Sequence, residues 1–461
     1  MAPKFYSDDL SPPCRAVMMA CEALKIPVEY IDTKLLNKEH MSEEYLKKNP
    51  MHTVPMLEDG DLVIHDSHVI LTYLTEKYGK TEPWYPKDLK QRALVDQKLY
   101  FEALLFTRVR AITYPAMFEG VRVPSQKVIK ALVEMFEFLE QFLSRTKFVA
   151  GDHMTIADIS LIGILSTAND IVRVDGKKFP KTVAWMQEMQ KQSFYQSKNM
   201  EGKEKLKAIL NNFLDIIHRI DISTLKYNID TGKRQSDKTY GKRERMTLKL
   251  YILEGSPASR SVLMLADILN ITLDIIDVDY FGKQHLTPEF RKINPLHTIP
   301  VLVDGDLTLH DSHVILTYLT EKYGRDHSLY PKDVKQRALI DQKLYFDTLI
   351  FRRMRNVTAP AIEDGVRRPT EKLLIELQET YNFTEEFLSN TKYIAGESLT
   401  LADLSVGATV STIDRLVPLD AKKYPKTHAW FKTLEQQSFY QKCNKKGLEQ
   451  VAAVLKNYLD L

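Results

Sequence analysis

Cysteine is scarce, with three in 461 residues, at Cys14, Cys21 and Cys443. An odd number without metal-ligand spacing speaks against a disulfide framework and a metal centre, and for a reducing compartment. Long apolar runs are missing too: none approaches the roughly 18 residues that a membrane helix needs. The opening "MAPKFYSDDL" lacks the basic-then-apolar layout of a signal peptide, so a cytoplasmic protein with no membrane partner is expected. Nor is there a large charge of either sign. The net charge is +3, and from Ile217 to Arg245 eight Lys or Arg stand against four Asp or Glu, which leaves the rest near neutral. A nucleic-acid partner is therefore not expected. With 44% hydrophobic and 27% charged residues the composition is that of folded domains. At about 100 to 200 residues per domain there is room for three or four.

What the chain does have is itself, twice. "HDSHVILTYLTEKYG" occurs unchanged at His65 to Gly79 and at His310 to Gly324. The same offset of 245 aligns Lys4 through Ile216 with a second copy without a gap, pairing Ser11 with Ser256, His52 with His297 and Trp185 with Trp430. Solenoid repeats run about 20 to 50 residues, so this is a duplicated multi-domain unit. Between the copies, 217–245 is polar and basic and reads as a flexible tether of roughly 30 Å.

Within one unit, "PKFYS" and "PVEYID" read as strands around the helix "SPPCRAVMMACEALK". Next come a short helix "SEEYLKKN" capped by Ser42, a hairpin "TVPMLEDGDLVIHD" turning at Asp-Gly, and a helix ending at Gly79. The order is βαβαββα. From Lys87 onward only helical periodicity remains, and Thr155 with Asp158, like Thr400 with Asp403, reads as a structural capping box. The fold class is α/β plus all-α, divided as 1–80 and 87–216, the tether 217–245, then 246–325 and 332–461.

Ser11 follows the first strand and precedes Pro12, which puts it at a helix N-cap with proline at the first helical position. That end of a helix offers free N–H groups and the positive dipole end, a seat for a negative sulfur, phosphate or carboxylate. Alone, Ser11 reads as an ordinary cap. In "NPMHTVP" and "NPLHTIP" a proline stands just before a strand; a trans turn is its ordinary reading, whereas a cis bond would turn the preceding N–H and C=O toward a peptide-like ligand. Asp66 and Ser67 open the last helix of the α/β part and place a carboxylate and a hydroxyl beside more free N–H groups; alone, this too reads as capping.

Taken together, "LSPPCRAV", "EHMSEEYLKKNPMHTVP", "DSHVI" and the Thr-x-x-Asp cap resemble cytosolic glutathione transferases over nearly the whole of both units, most like the insect epsilon class, with the delta class close behind. The resemblance implies a thioredoxin-like N-terminal domain and a helical C-terminal domain in each unit. It implies that Ser11 and Ser256 hydrogen-bond the glutathione sulfur and hold it as thiolate, a role a free thiol of pKa about 8.5 needs near neutral pH. It implies that Val54 and Ile299 pair their backbone with the ligand, with Pro55 and Pro300 cis. Asp66, Ser67, Asp311 and Ser312 would take the γ-glutamyl end, and His40, His52, His285 and His297 the glycine carboxylate. Many delta-class members carry Glu-Ser-Arg where this chain has Asp66-Ser67-His68, which shortens the carboxylate's reach and removes a basic contact; His68 and His313 are assigned instead to a subunit interface. Without a first cysteine, Ser11-x-x-Cys14 supports no dithiol exchange, and unit 2 has Ser259 in place of Cys14.

Arg110, Tyr114, Met117 and Phe118 share one helical face, as do Arg355, Ala359, Ile362 and Glu363. Such a face serves either a core or a pocket wall, and the resemblance assigns it to the electrophile. Copy one is then large-walled and aromatic, copy two more open and acidic, so their substrates should differ. The expected function is conjugation of glutathione, a co-substrate, to hydrophobic electrophiles in detoxification, without a permanently bound cofactor or metal. The units would act as an intramolecular pseudo-dimer or within a homodimer. The alternatives are a carrier of hydrophobic ligands and a structural scaffold.

Overall fold

The computed structural model describes residues 2–80, 84–215 and 248–460. The tether expected at 217–245 and the start of the second unit at Met246 lie outside them.

In the first unit β1 (Lys4–Ser7) buries Phe5 and Ser7 and exposes Lys4, and it is followed by α1 (Pro12–Leu24). That helix stops where Lys25 takes a left-handed conformation. β2 (Glu29–Asp32) returns parallel to β1. α2 (Glu43–Lys48) starts at Ser42, whose hydroxyl accepts from Tyr45 N–H. β3 (Met56–Asp59) and β4 (Leu62–His65) form the hairpin, and α3 (Ser67–Tyr78) closes the domain. The strand order is β2-β1-β3-β4, with β1 antiparallel to β3. Two details differ from the sequence reading. Asp59 pairs with Leu62, so the turn is Gly60-Asp61, with glycine at φ 67° where a side chain is disfavoured. A 3-10 turn at Glu39–Met41, too short to show a period, carries His40.

The helical part comprises α4 (Leu89–Phe118), α5 (Gln126–Leu143), α6 (Ile156–Ile171), α7 (Pro180–Gln190), α8 (Ser193–Lys198) and α9 (Met200–Phe213). α6 is rich in apolar residues and is almost wholly buried. Its capping box does more than cap: Asp158 Oδ1 accepts from Val149 N–H and Trp185 Nε1–H, at 3.0 and 2.9 Å, while Oδ2 accepts from Thr155 N–H at 2.9 Å. Burial pushes the Asp158 carboxyl up to about 6 against the pull of those bonds.

The second unit repeats this with β5 (Leu248–Ile252), α10 (Pro257–Ile268), β6 (Leu273–Asp277), α11 (Pro288–Ile293), β7 (Val301–Asp304), β8 (Leu307–His310) and α12 (Ser312–Tyr323). Its helices are α13 (Val334–Asp364), α14 (Glu371–Phe387), α15 (Leu401–Ile413), α16 (Pro425–Glu435), α17 (Ser438–Cys443) and α18 (Lys445–Tyr458). The units touch: α3 packs on α13, and α12 packs on α4. Lys90 pairs with Asp306 at 2.6 Å, and Lys335 mirrors it with Asp61.

Candidate functional site

Strand register decides what meets. Tyr6 opposes Met56, and Met56 opposes His65. The chain leaves β1 just after Tyr6, enters β3 through Val54-Pro55 and leaves β4 into Asp66. The segment carrying Ser11, the Val54 backbone and Asp66-Ser67 therefore share one end of the sheet. In unit 2, Tyr251, Val301 and His310 hold the same register, which gathers Ser256, Ile299 and Asp311-Ser312. Both Val54-Pro55 and Ile299-Pro300 are cis, as the resemblance implies and unlike the trans turn that the residues alone favour. Neither residue before the proline has its N–H or C=O engaged by backbone among the described residues.

Ser11 and Ser256 occupy the N-cap positions of α1 and α10, yet neither side chain makes a capping hydrogen bond. The simple cap is thereby set aside for both. In unit 1 the Ser11 hydroxyl meets the Cys14 thiol, which burial pushes up to about 12. Cys14 therefore stays a neutral thiol. Pro12 and Pro13 also remove two of the N–H groups expected at this helix end, so the seat for an anion in unit 1 rests on the hydroxyl and the dipole. Ala258 restores one N–H in unit 2.

Asp66 caps α3 from a left-handed backbone at φ 77°. Its Oδ1 takes both His68 N–H at 2.9 Å and His68 Nδ1 at 2.9 Å, which leaves Oδ2 without a partner among the described residues. Burial opposes ionisation of Asp66, but His68 outweighs it and holds the carboxyl below its usual range. His68 Nε2 reaches Glu102 at 2.5 Å. Burial alone would lower this imidazole, yet Asp66 and Glu102 raise it to about 10, so it is a cation. It points inward: its ring stacks on Tyr345 of the other unit, 4.7 Å between centroids. Asp311, Ser312 and His313 repeat the arrangement, His313 bonding Asp311 and Asp347 and stacking on Tyr100. Ser67 and Ser312 are buried at the first turns.

The histidines that the resemblance assigns to the glycine carboxylate form neighbouring pairs. His285 and His297 lie 6.4 Å apart between centroids, and the charge of His52 bears on His40. His40 Nδ1 and His285 Nδ1 are buried without a hydrogen-bond partner among the described residues. Burial, then the neighbouring His52 or His297, lowers the pKa of His40 and of His285. His52 and His297 both adopt positive φ, 45° and 47°.

The faces assigned to the electrophile are outside the set gathered by the strands. On α4, Arg110 lies over the Tyr114 ring at 4.8 Å and Tyr114 tilts against Phe118 at 5.0 Å. Phe118 is 65% exposed and Met117 is half-buried, so this face is surface rather than core. Unit 2 is less open than expected. Tyr280 stands where unit 1 has Leu35, stacks on His285 at 4.4 Å and hydrogen-bonds Glu363 at 3.2 Å. Arg355 pairs with Glu363 at 2.8 Å, so the acid of this face is neutralised within it. Ala359 and Ile362 are half-buried beside them on the same helix.

Sequence reading gave no role to Arg15, which is fully buried. Its guanidinium donates to Asn199 Oδ1, Thr167 Oγ1 and the carbonyls of Asp9 and Leu10, and so ties the turn before Ser11 to the helical part. Gly202 lets that turn approach, since a Cβ there would stand 2.0 Å from Asp9 O. Arg260 bonds Asn444, Ser411 and Thr412 but no carbonyl of the corresponding turn. A partner 184 residues away leaves no local signal.

Residues 5–83 and 250–327 match the family described as Glutathione S-transferase, N-terminal domain. Residues 112–193 and 353–438 match Glutathione S-transferase, C-terminal domain. Glutathione S-transferase 1 of Manduca sexta is 43% identical over 213 residues, covering 46% of this chain and 98% of the relative. Glutathione S-transferase D6 of Drosophila melanogaster is 38% identical over 190 residues, 41% of this chain and 87% of the relative. Among solved structures, an epsilon-class glutathione S-transferase from the housefly, Musca domestica, is 38% identical, covers 46% of this chain and 98% of its own, and has a TM-score of 0.45. With both domain families matched twice in alternation, and relatives covered almost end to end by less than half of the sequence, the chain belongs to the glutathione S-transferase family and carries two such units in tandem.

Proposed function

We propose that each unit conjugates glutathione to hydrophobic electrophiles through a serine-stabilised thiolate. Four features of each unit support this reading: an N-cap serine without a capping bond, backbone groups exposed before a cis proline, a carboxylate with an unengaged oxygen, and a buried imidazole nitrogen without a partner. The observation that carries it is the serine, because a hydroxyl that caps neither helix, and in unit 1 meets the neutral Cys14 thiol instead, is open to a ligand sulfur. Ser11 or Ser256 donates its O–H to the glutathione sulfur and lowers the cost of losing the thiol proton to solvent. The thiolate attacks the electrophilic carbon, the C–S bond forms, and the leaving group departs with the displaced electron pair. Val54 and Ile299 pair with the cysteinyl part, Asp66, Ser67, Asp311 and Ser312 hold the γ-glutamyl end, and His40, His52, His285 and His297 hold the glycine carboxylate. The faces from Arg110 to Phe118 and from Arg355 to Glu363 line the second substrate. No bound cofactor takes part.

The domain limits 1–80, 87–216, 246–325 and 332–461 belong to the same reading, as does a cytoplasmic location. Among the described residues no helix is long and apolar enough to cross a membrane. We also take the two units as partners within one chain, a pseudo-dimer supported by the stacked rings of Tyr100, Tyr345, His68 and His313.

The test is the ultraviolet thiolate absorbance of bound glutathione, titrated with pH. Its midpoint should fall below the free thiol's value of about 8.5. It should return toward that value in the chain carrying both Ser11→Ala and Ser256→Ala. An unshifted midpoint in the parent removes the serine mechanism.

A further inference from the structure

The glutathione site of unit 2 is met by a side chain of unit 1. His297 Nε2 lies 3.4 Å from Glu134 Oε1, and the His297 ring packs edge-on against Phe138, 5.9 Å between centroids. Glu134, Glu137 and Phe138 sit at positions i, i+3 and i+4 of α5 and so form one face. Arg291 of α11 adds a positive charge opposite Glu134 and Glu137. Burial opposes ionisation of Glu134, and His297, Arg108 and Arg291 overcome it, so Glu134 faces this site as a carboxylate.

The converse contact is missing. The counterparts of Glu134, Glu137 and Phe138 are Glu379, Asn382 and Phe383, and those of Arg291 and His297 are Leu46 and His52. One acid and the opposing cation are therefore absent from that side. The remaining acid is held within its own unit: Arg353 donates to Glu379 at 2.9 Å and lies over the Phe383 ring. Arg108, which corresponds to Arg353, makes no hydrogen bond to Glu134, and its Nε is buried without a partner. His52 is exposed and makes no side-chain hydrogen bond among the described residues.

We propose that Glu134 is a positioning residue of the unit 2 glutathione site that makes the two sites unequal. This rests on the reading of His297 as a contact of the glycine carboxylate. Before that carboxylate can bind, the imidazole must give up its contact with Glu134, and two carboxylates then compete for one imidazole. Unit 2 accordingly binds glutathione more weakly than unit 1. Two unit charges a few ångströms apart in a high-dielectric surround set the difference at about fivefold.

Calorimetric titration of the full chain with glutathione should resolve two sites of unequal affinity. Glu134→Gln keeps the shape and a hydrogen bond but removes the charge; it should tighten the weaker site about fivefold and bring the two together. Glu379→Gln should shift neither. In chains where only one serine remains, Glu134→Gln should lower KM for glutathione with kcat unchanged when Ser256 is kept, and alter neither when Ser11 is kept. The gain should shrink at about 0.5 M salt, where charge effects are screened within a few ångströms. Equal sites in the parent, a weakening by Glu134→Gln, or the same change in both single-serine chains would overturn the proposal. A chain that binds glutathione but conjugates nothing would remove the transferase reading while the titration still decides this one; a chain that binds no glutathione would remove both.

Discussion

Tyr100 and Tyr345 lie face to face across the two units, with ring centroids 4.3 Å apart and planes 7° from parallel. His68 and His313 close the stack at 4.7 and 4.9 Å, and both are held as cations by flanking carboxylates. A cation over a tyrosine face adds to the ring contact. Removing either tyrosine opens a cavity and strips a face from a buried imidazolium. Tyr100→Ala and Tyr345→Ala should each cost about 3 kcal/mol in urea unfolding. Because the rings share one contact, the double change should cost less than the sum. Additivity would mean the stack does not act as a unit.

The Asp158 carboxylate joins three parts of unit 1. Asp158→Ala removes a cap worth about 1 kcal/mol and leaves the Trp185 indole N–H unpaired in the core, a further loss of about 1 to 3 kcal/mol. Asp158→Asn retains an acceptor and should lose less. Thermal unfolding of the two variants checks the order; equal losses would contradict it.

Two carboxyls near the contact between units set a pH dependence. Tyr85 donates to Asp96 and Tyr330 donates to Asp341, both at 2.7 Å. Burial pushes Asp96 up to about 7 and Asp341 up to about 8; the negative charge of Glu76 adds to both rises, and that of Asp96 to the rise of Asp341. A folded pKa above the unfolded value of about 3.9 means that stability is present at low pH and is lost as pH rises from about 4 through 7 to 8. A chain with Asp96→Asn and Asp341→Asn escapes that loss. It should gain on the parent by about 1 kcal/mol or more between pH 5 and pH 8. A constant difference across that range would contradict the burial argument.

Gly202 sits where the turn before Ser11 crosses α9. A methyl group at this position would stand 2.0 Å from the Asp9 carbonyl, which must move and take the Arg15 contacts with it. Gly202→Ala should destabilise by about 1 to 3 kcal/mol. It should lower the activity that depends on Ser11 while sparing the part that depends on Ser256. Equal losses in both parts would show that the turn does not position Ser11.

Much of this architecture is legible in the sequence because its signals are local. Aromatic and β-branched stretches mark β1 and β2, Ser42 and Thr155 mark helix starts, and an unbroken offset of 245 marks two units. That Ser11, Val54 and Asp66 each stand a few residues from a strand end is also legible, while the register that brings them together comes from the strand pairing. What escapes local reading is contact at a distance. Helical periodicity shows that Tyr100 lies on a helix but not that Tyr345, 245 residues on, will cover it. Glu363 reads as an open acid until Arg355 and Tyr280 are found around it. Pro12 and Pro13 mark the helix start correctly, and the same residues remove N–H groups that a generic helix end would offer to an anion.

The central claim, two working serine sites in one chain, is tested most directly by glutathione conjugation to an activated aryl halide with the full-length parent, Ser11→Ala, Ser256→Ala and the double variant. Partial losses in the single variants that together account for the loss in the double, with stability unchanged, are the predicted result. Full activity in the double variant, or glutathione binding without conjugation in the parent, would contradict the claim and favour a carrier of hydrophobic ligands.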